Sequence, residues 1–145
     1  HCVTRRQRQM CIRDRIESVT KHIIALSTAV IHKRMCVKIG DGAPLIRDRI
    51  INQLILHGIE ILEVSEHRTS YGSRSKAHLH AATRIALMSG TRVYQTRELL
   101  PTDGDLREIQ RQSRIHSSGY LTISTELAKL VACGEISMDE AIKRA

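Results

Sequence analysis

Aromatic residues are nearly missing from this chain. They make up 2% of it, with no Phe and no Trp, and the three present are Tyr71, Tyr94 and Tyr120. Aromatic stacking therefore cannot be a main mode of nucleic-acid or sugar binding, and the core must be packed from Ile, Leu, Val and Ala. Paired cysteine motifs are missing too. Cys2, Cys11, Cys36 and Cys133 form no CxxC pair and no Cys/His spacing of a zinc ligand set, which argues against a structural zinc or a disulfide framework. Cys36 and Cys133 lie singly in apolar segments and read as reduced core thiols of a cytoplasmic protein. No apolar run reaches the roughly 18 residues of a membrane span, and no charged-then-apolar leader of the secretory kind is seen. Without GxxxxGK[ST], GxSxG or GxGxxG, nucleotide hydrolysis, a serine-hydrolase triad and a dinucleotide site have no support.

What is there is ordinary soluble composition: 145 residues, 41% hydrophobic and 26% charged, enough for one domain with a modest core. The formal charge of +8 points to a polyanion partner. The run MCIRDR, Met10 to Arg15, looks like a forward-frame translation of the mosaic-end adapter of sequencing libraries, so residues 1–15 are expected to be an artefact or a disordered leader. A natural basic arm is the competing reading. This stretch carries Arg5, Arg6, Arg8, Arg13 and Arg15 against Asp14, so half of the net charge goes with it.

Hydrophobic spacing predicts the order of elements. Ile16, Val19, Ile23, Leu26 and Val30 define a one-faced helix to about Arg34, leading into a strand from Cys36 to Ile39. Gly40-Asp41-Gly42 makes a tight turn, and Pro44 opens a second helix. That helix buries Leu45, Ile46, Ile50, Ile51 and Leu54, turns Arg47, Asp48 and Arg49 to solvent, and stops at Gly58. Ile59 to Val64 is a second strand, and Lys76 to Ser89 a third helix closed by Gly90. Together these make one parallel βαβ unit, whose chemistry is expected at the carboxyl ends of its strands. Thr91 to Gln95 is a short strand, Pro101 to Gly104 a turn, and Leu106 to Arg114 a basic helix. Ser117 to Gly119 forms a joint, Ser124 or Thr125 caps a helix stopped by Gly134, and Ser137 to Glu140 is a capping box for the last one.

Glu66, just past the second strand, is the candidate carboxylate. Such a group, with a His or an acid on the next helix, suits hard divalent ions. His78 and His80 stand at i and i+2 and point to different faces, so only one can meet Glu66.

The run VKIGDG, RDRIIN, ILEVSEHRTS and HLHAATRIAL resembles the second half of RNase H-like nucleases of the RuvC and YqgF group, which are Holliday-junction resolvases and ribosomal-RNA-maturation nucleases. The resemblance covers about residues 36 to 90. It implies a partial RNase H-like α/β domain over 16–95 with a helical C-terminal extension over 96–145, the latter too small to be called a domain. It implies two-metal phosphodiester hydrolysis with Mg²⁺ or Mn²⁺, with Glu66 and His78 as catalytic metal ligands. The family's first Asp, on an opening β-hairpin, has no counterpart before Ile16. Asp41 is not its equivalent and reads as a turn residue, so the chain is expected to be inactive as it stands.

DNA junctions or RNA are the implied partners, with a homodimer as a further expectation. Arg68, Arg74 and Lys76 beside Glu66, and Arg107, Arg111 and Arg114 on the basic helix, are the candidate nucleic-acid contacts. The bland reading of each group is a solvated face paired to nearby acids such as Asp48, Asp105 and Glu108. The segment from Thr91 onward also resembles the end of secretion and pilus-retraction ATPases, although no phosphate loop accompanies it. A small non-catalytic α/β interaction module is the alternative to the nuclease.

Overall fold

A computed structural model describes residues 12–30, 34–66 and 77–145. Among them the order is α1 (Ile12–Ala29), β1 (Cys36–Gly40), α2 (Pro44–Leu56), β2 (Glu60–Val64), α3 (Ala77–Leu87), β3 (Thr91–Val93), α4 (Asp103–His116), α5 (Thr125–Cys133) and α6 (Met138–Arg144). The architecture is mixed α/β, with a small three-stranded sheet and a C-terminal three-helix bundle. Of the stretch read as a leader, residues 1–11 lie outside the described residues, while α1 already begins at Ile12, one turn earlier than the apolar spacing predicts. Two compact units divide the chain: 19–98, and 99–145 together with the residues up to Ser18. Among the described residues no helix is long and apolar enough to cross a membrane.

In the α/β unit the strand order is β1-β2-β3. β1 runs parallel to β2, with Cys36 opposite Glu60 and Gly40 opposite Val64, and β3 returns antiparallel, with Glu63 opposite Thr91. The parallel pair requires a crossover, which α2 supplies. Pro44 sits in its first turn, and the helix ends where Gly58 takes a φ of +70° that a side chain resists. Ile51 and Leu54, three apart on one face of α2, meet Ile61 of β2, and all three are fully buried; Ile23 and Ile24 of α1 pack against them. Burying each contributes about 1.5–3 kcal/mol. Val19 and Leu26, expected on the packed side of α1, are each 46% exposed.

Several expectations are corrected. Arg49 is buried, and Arg47 and Asp48 are largely covered instead of facing solvent, because Glu63 of β2 pairs with Arg47 and Arg97 pairs with Asp48. Leu45, Ile46 and Ile50 are only half-buried. Cys36, read as a core thiol, is exposed at the start of its strand, and Cys133 is half-buried. On the other side of the sheet, Lys38 Nζ donates to the carbonyls of Ala86 (2.8 Å) and Met88 (2.7 Å), satisfying acceptors at the end of α3.

The bundle is built from local rules. Thr102 accepts from Asp105 N while the Asp105 side chain accepts from Thr102 N, a capping box that starts α4. Pro101 to Gly104 is therefore a helix entry and not a free-standing turn. Ser124 and Ser137 cap α5 and α6, and Gly134 closes α5 with a φ of +78°. Leu106, Ile109, Ile123, Ala128, Val131, Ile136, Met138 and Ala141 are buried. Among them Ser113 is fully buried yet satisfied: its Oγ donates to Gln110 O (2.7 Å) and accepts from Ile123 N (3.2 Å).

Candidate functional site at the carboxyl edge of the sheet

β1 and β2 end side by side, and the residues that follow them interlock. Asp41 N donates to Val64 O at 3.0 Å, and the Asp41 carboxylate accepts from Glu66 N at 2.7 Å. The Glu66 side chain lies back over the turn. A Cβ on Gly40 would fall 1.7 Å from Glu66 Oε1, and one on Gly42 would fall 2.7 Å from Oε2. The carboxylate occupies the space that a side chain at either glycine would take, so a larger residue there would displace Glu66 from the turn. Asp41 is thus more than the turn residue expected, since it holds the exit of β2 in place. Glu66 itself is half-buried.

Beside this turn four charges form a ring. Arg47 contacts Asp48 at 2.8 Å and Glu63 at 3.3 Å, and Arg97 contacts Asp48 at 3.1 Å and also pairs with Glu63. The second Glu63 oxygen forms an ion pair with Arg97. Burial alone would push the Asp48 carboxyl up, but the hydrogen bonds and charges of Arg47 and Arg97 outweigh it and hold the group below the usual carboxylate range. Asn52 completes the attachment: its Nδ2 donates to Arg97 O and its Oδ1 accepts from Arg97 N, both at 2.7 Å. The ring therefore binds α2, β2 and the segment after β3 together while leaving no net charge.

A cavity of about 710 Å³ opens next to it, with Asp41, Glu63 and Ser65 on the parallel-strand side and residues 91–97 on the other. Tyr94 borders it with 74% of its surface exposed, and the Arg92 guanidinium stands 5.0 Å from the ring centroid. Arg92 is itself 3.8 Å from Glu60.

The expected site residues are only partly brought together. Glu66 stands at the carboxyl edge as predicted. His78 falls in the first turn of α3, its side chain outside the described residues, as are Arg68, Arg74 and Lys76. His80 is exposed. Among the described residues no group of three or more His, Cys, Asp or Glu could hold a metal ion. Arg107, Arg111 and Arg114 are exposed on α4. Arg111 is engaged by Glu108 through contacts of 2.8 and 2.7 Å, and this pairing raises the Arg111 pKa and lowers that of Glu108.

Charge also distinguishes the regions: residues 19–98 carry twelve Lys and Arg against six Asp and Glu, whereas 99–145 carry six against seven. Sequence reasoning missed Asp48, Asn52, Glu63, Tyr94 and Arg97. The available signal was the i, i+4 spacing of Asp48 and Asn52 on α2, which places both on one face.

Comparison with known proteins reaches only the C-terminal region. No curated protein and no solved structure matches the chain. Residues 102–145 are similar to a family described as a three helical bundle domain, and they fall within the helical extension expected over 96–145.

Proposed function

We propose that the α/β unit acts on nucleic acid, as a portion of an RNase H-like metal-dependent nuclease. The observation that carries the reading is the place of Glu66 at the carboxyl end of β2, where its backbone N–H is held by the Asp41 carboxylate that follows the adjacent parallel strand. A carboxylate at this edge suits a hard cation whose remaining positions are taken by water and further ligands. A bridged pair of ions needs a further ligand, and His78 is the candidate from the sequence. When bound, such an ion activates water and neutralises charge on a phosphodiester. In this reading Glu66 and His78 hold Mg²⁺ or Mn²⁺, Asp41 positions Glu66 through its backbone N–H, and Arg68, Arg74 and Lys76 contact phosphate. The excess of basic residues over 19–98, absent from the bundle sequence, supports placing the nucleic acid on the α/β unit and not on α4.

Mn²⁺ titration followed by electron paramagnetic resonance tests the reading. The native chain is expected to bind Mn²⁺, and Glu66→Gln to weaken it at least tenfold with an unchanged circular dichroism spectrum. Binding of labelled structured DNA and RNA should fall steeply with salt. A chain that binds neither Mn²⁺ nor nucleic acid sinks the proposal.

A non-catalytic docking module is the second reading. It rests on the same excess of basic residues over 19–98, with no metal ion involved. Salt-sensitive nucleic-acid binding without Mn²⁺ binding would select it.

A further inference from the structure

We propose that the cavity beside Tyr94 receives one unpaired nucleobase, stacked on the Tyr94 ring. This rests on the nucleic-acid reading and names the form of nucleic acid the site takes. Three features of the cavity carry it.

Its volume of about 710 Å³ is that of a small-ligand site, ample for a single nucleoside. Its cations are engaged: Arg97 pairs with Asp48 and Glu63, and Arg92 lies against the Tyr94 ring and 3.8 Å from Glu60. Thr91, Gln95 and Thr96 instead bring uncharged donors and acceptors, which suit base edges and sugar hydroxyls.

The third feature is the ring itself. Tyr94 is one of three aromatic residues in the chain, and it stands 74% exposed at the cavity. Packing does not explain that exposure. Arg92 lies 5.0 Å from the ring centroid and is tethered to Glu60, so the ring is ordered from one side without being covered. An aromatic surface held this way is what stacks a base in single-strand binding proteins. A base inside a duplex is already stacked on its neighbours, so the subsite selects single strands, loops or extruded bases.

Fluorescence anisotropy with a short fluorescein-labelled oligodeoxyadenylate, and with the same sequence in a blunt duplex, tests the proposal on the native chain, Tyr94→Ala, Tyr94→Phe and Arg92→Gln. The native chain should prefer the single strand. Tyr94→Ala should bind it about tenfold more weakly, Tyr94→Phe should recover most of the affinity, and Arg92→Gln should fall between them. The slope of affinity against salt should be the same for Tyr94→Ala and the native chain, since stacking releases no counterions.

Native affinity in Tyr94→Ala, or equal binding of single strand and duplex by the native chain, overturns the stacking site while leaving the nucleic-acid reading intact. Binding of neither probe by the native chain overturns both. Tyr94 is exposed, so its truncation should leave the fold unchanged by circular dichroism; Arg92→Gln gives an independent reading of the same stack.

Discussion

The two regions of this molecule satisfy their polar groups in opposite ways. In the bundle the partners are neighbours in sequence and mostly neutral: Ser124 with Leu127, Ser137 with Glu140, Thr102 with Asp105. In the α/β unit they are distant and charged or charge-assisted: Lys38 with Met88, Arg97 with Asp48, Glu66 with Asp41. The bundle can assemble its helix ends one at a time. The α/β unit has its polar edge only when three separate segments are in place.

The sharpest way to break this comparison is to remove the apolar contact on which the α/β unit stands. Leu54→Ala is expected to cost about 3 kcal/mol, because Leu54 is fully buried between α2 and β2. Hydrogen exchange should show Ile61 losing protection while Val131 keeps it. Equal losses at both would mean that the regions unfold as one.

A smaller effect sharpens the electrostatic contrast. Asp48→Asn should cost about 2 kcal/mol at neutral pH by removing charge-assisted hydrogen bonds to two guanidinium groups. The folded Asp48 pKa is lowered, so its contribution is fully present above the unfolded carboxylate value of about 3.9 and disappears as pH falls through the lower folded value. Urea midpoints measured from neutral pH down to strongly acidic pH should therefore converge for native and Asp48→Asn below about pH 4. A gap of constant size across that range would contradict the ring.

Smallest is the loss of one cap. Ser137→Ala should cost about 1 kcal/mol, read as a lower urea midpoint for the bundle and no change at Ile61. Because a hydroxyl does not titrate here, this gap should stay constant over the acid range in which the Asp48 gap closes.

The same contrast explains what could be read in advance. Ser124, Gly134 and Ser137 were legible because a cap is a rule about residues within four positions, and Pro44 and Gly58 framed α2 for the same reason. The parallel pairing of β1 with β2 followed from one amphipathic crossover between two apolar runs. Arg47, Asp48 and Arg49 misled, because a charged run on a helix ordinarily marks the solvent side. Only the arrival of Arg97, 49 positions after Asp48, completes the ring that covers Arg47 and Asp48. Glu66 was legible from its place after a strand. Its lodging over Gly40 and Gly42 was not, since nothing in local spacing pairs a glutamate with a turn more than twenty residues earlier.

The separation of those partners also sets a clock. Cys36 meets Glu60 only after the intervening chain has closed, and Arg97 must search across 49 positions, whereas Ser113 finds Ile123 ten residues on. Closure over longer loops is entropically dearer and slower. During refolding α4 to α6 are therefore expected to form before the sheet edge, leaving Ile51, Leu54 and Ile61 uncovered for longer; pulsed hydrogen exchange showing Ile61 protected before Val131 would contradict this order. The danger of aggregation in this chain is concentrated in the α/β unit and in the interval before its polar edge locks.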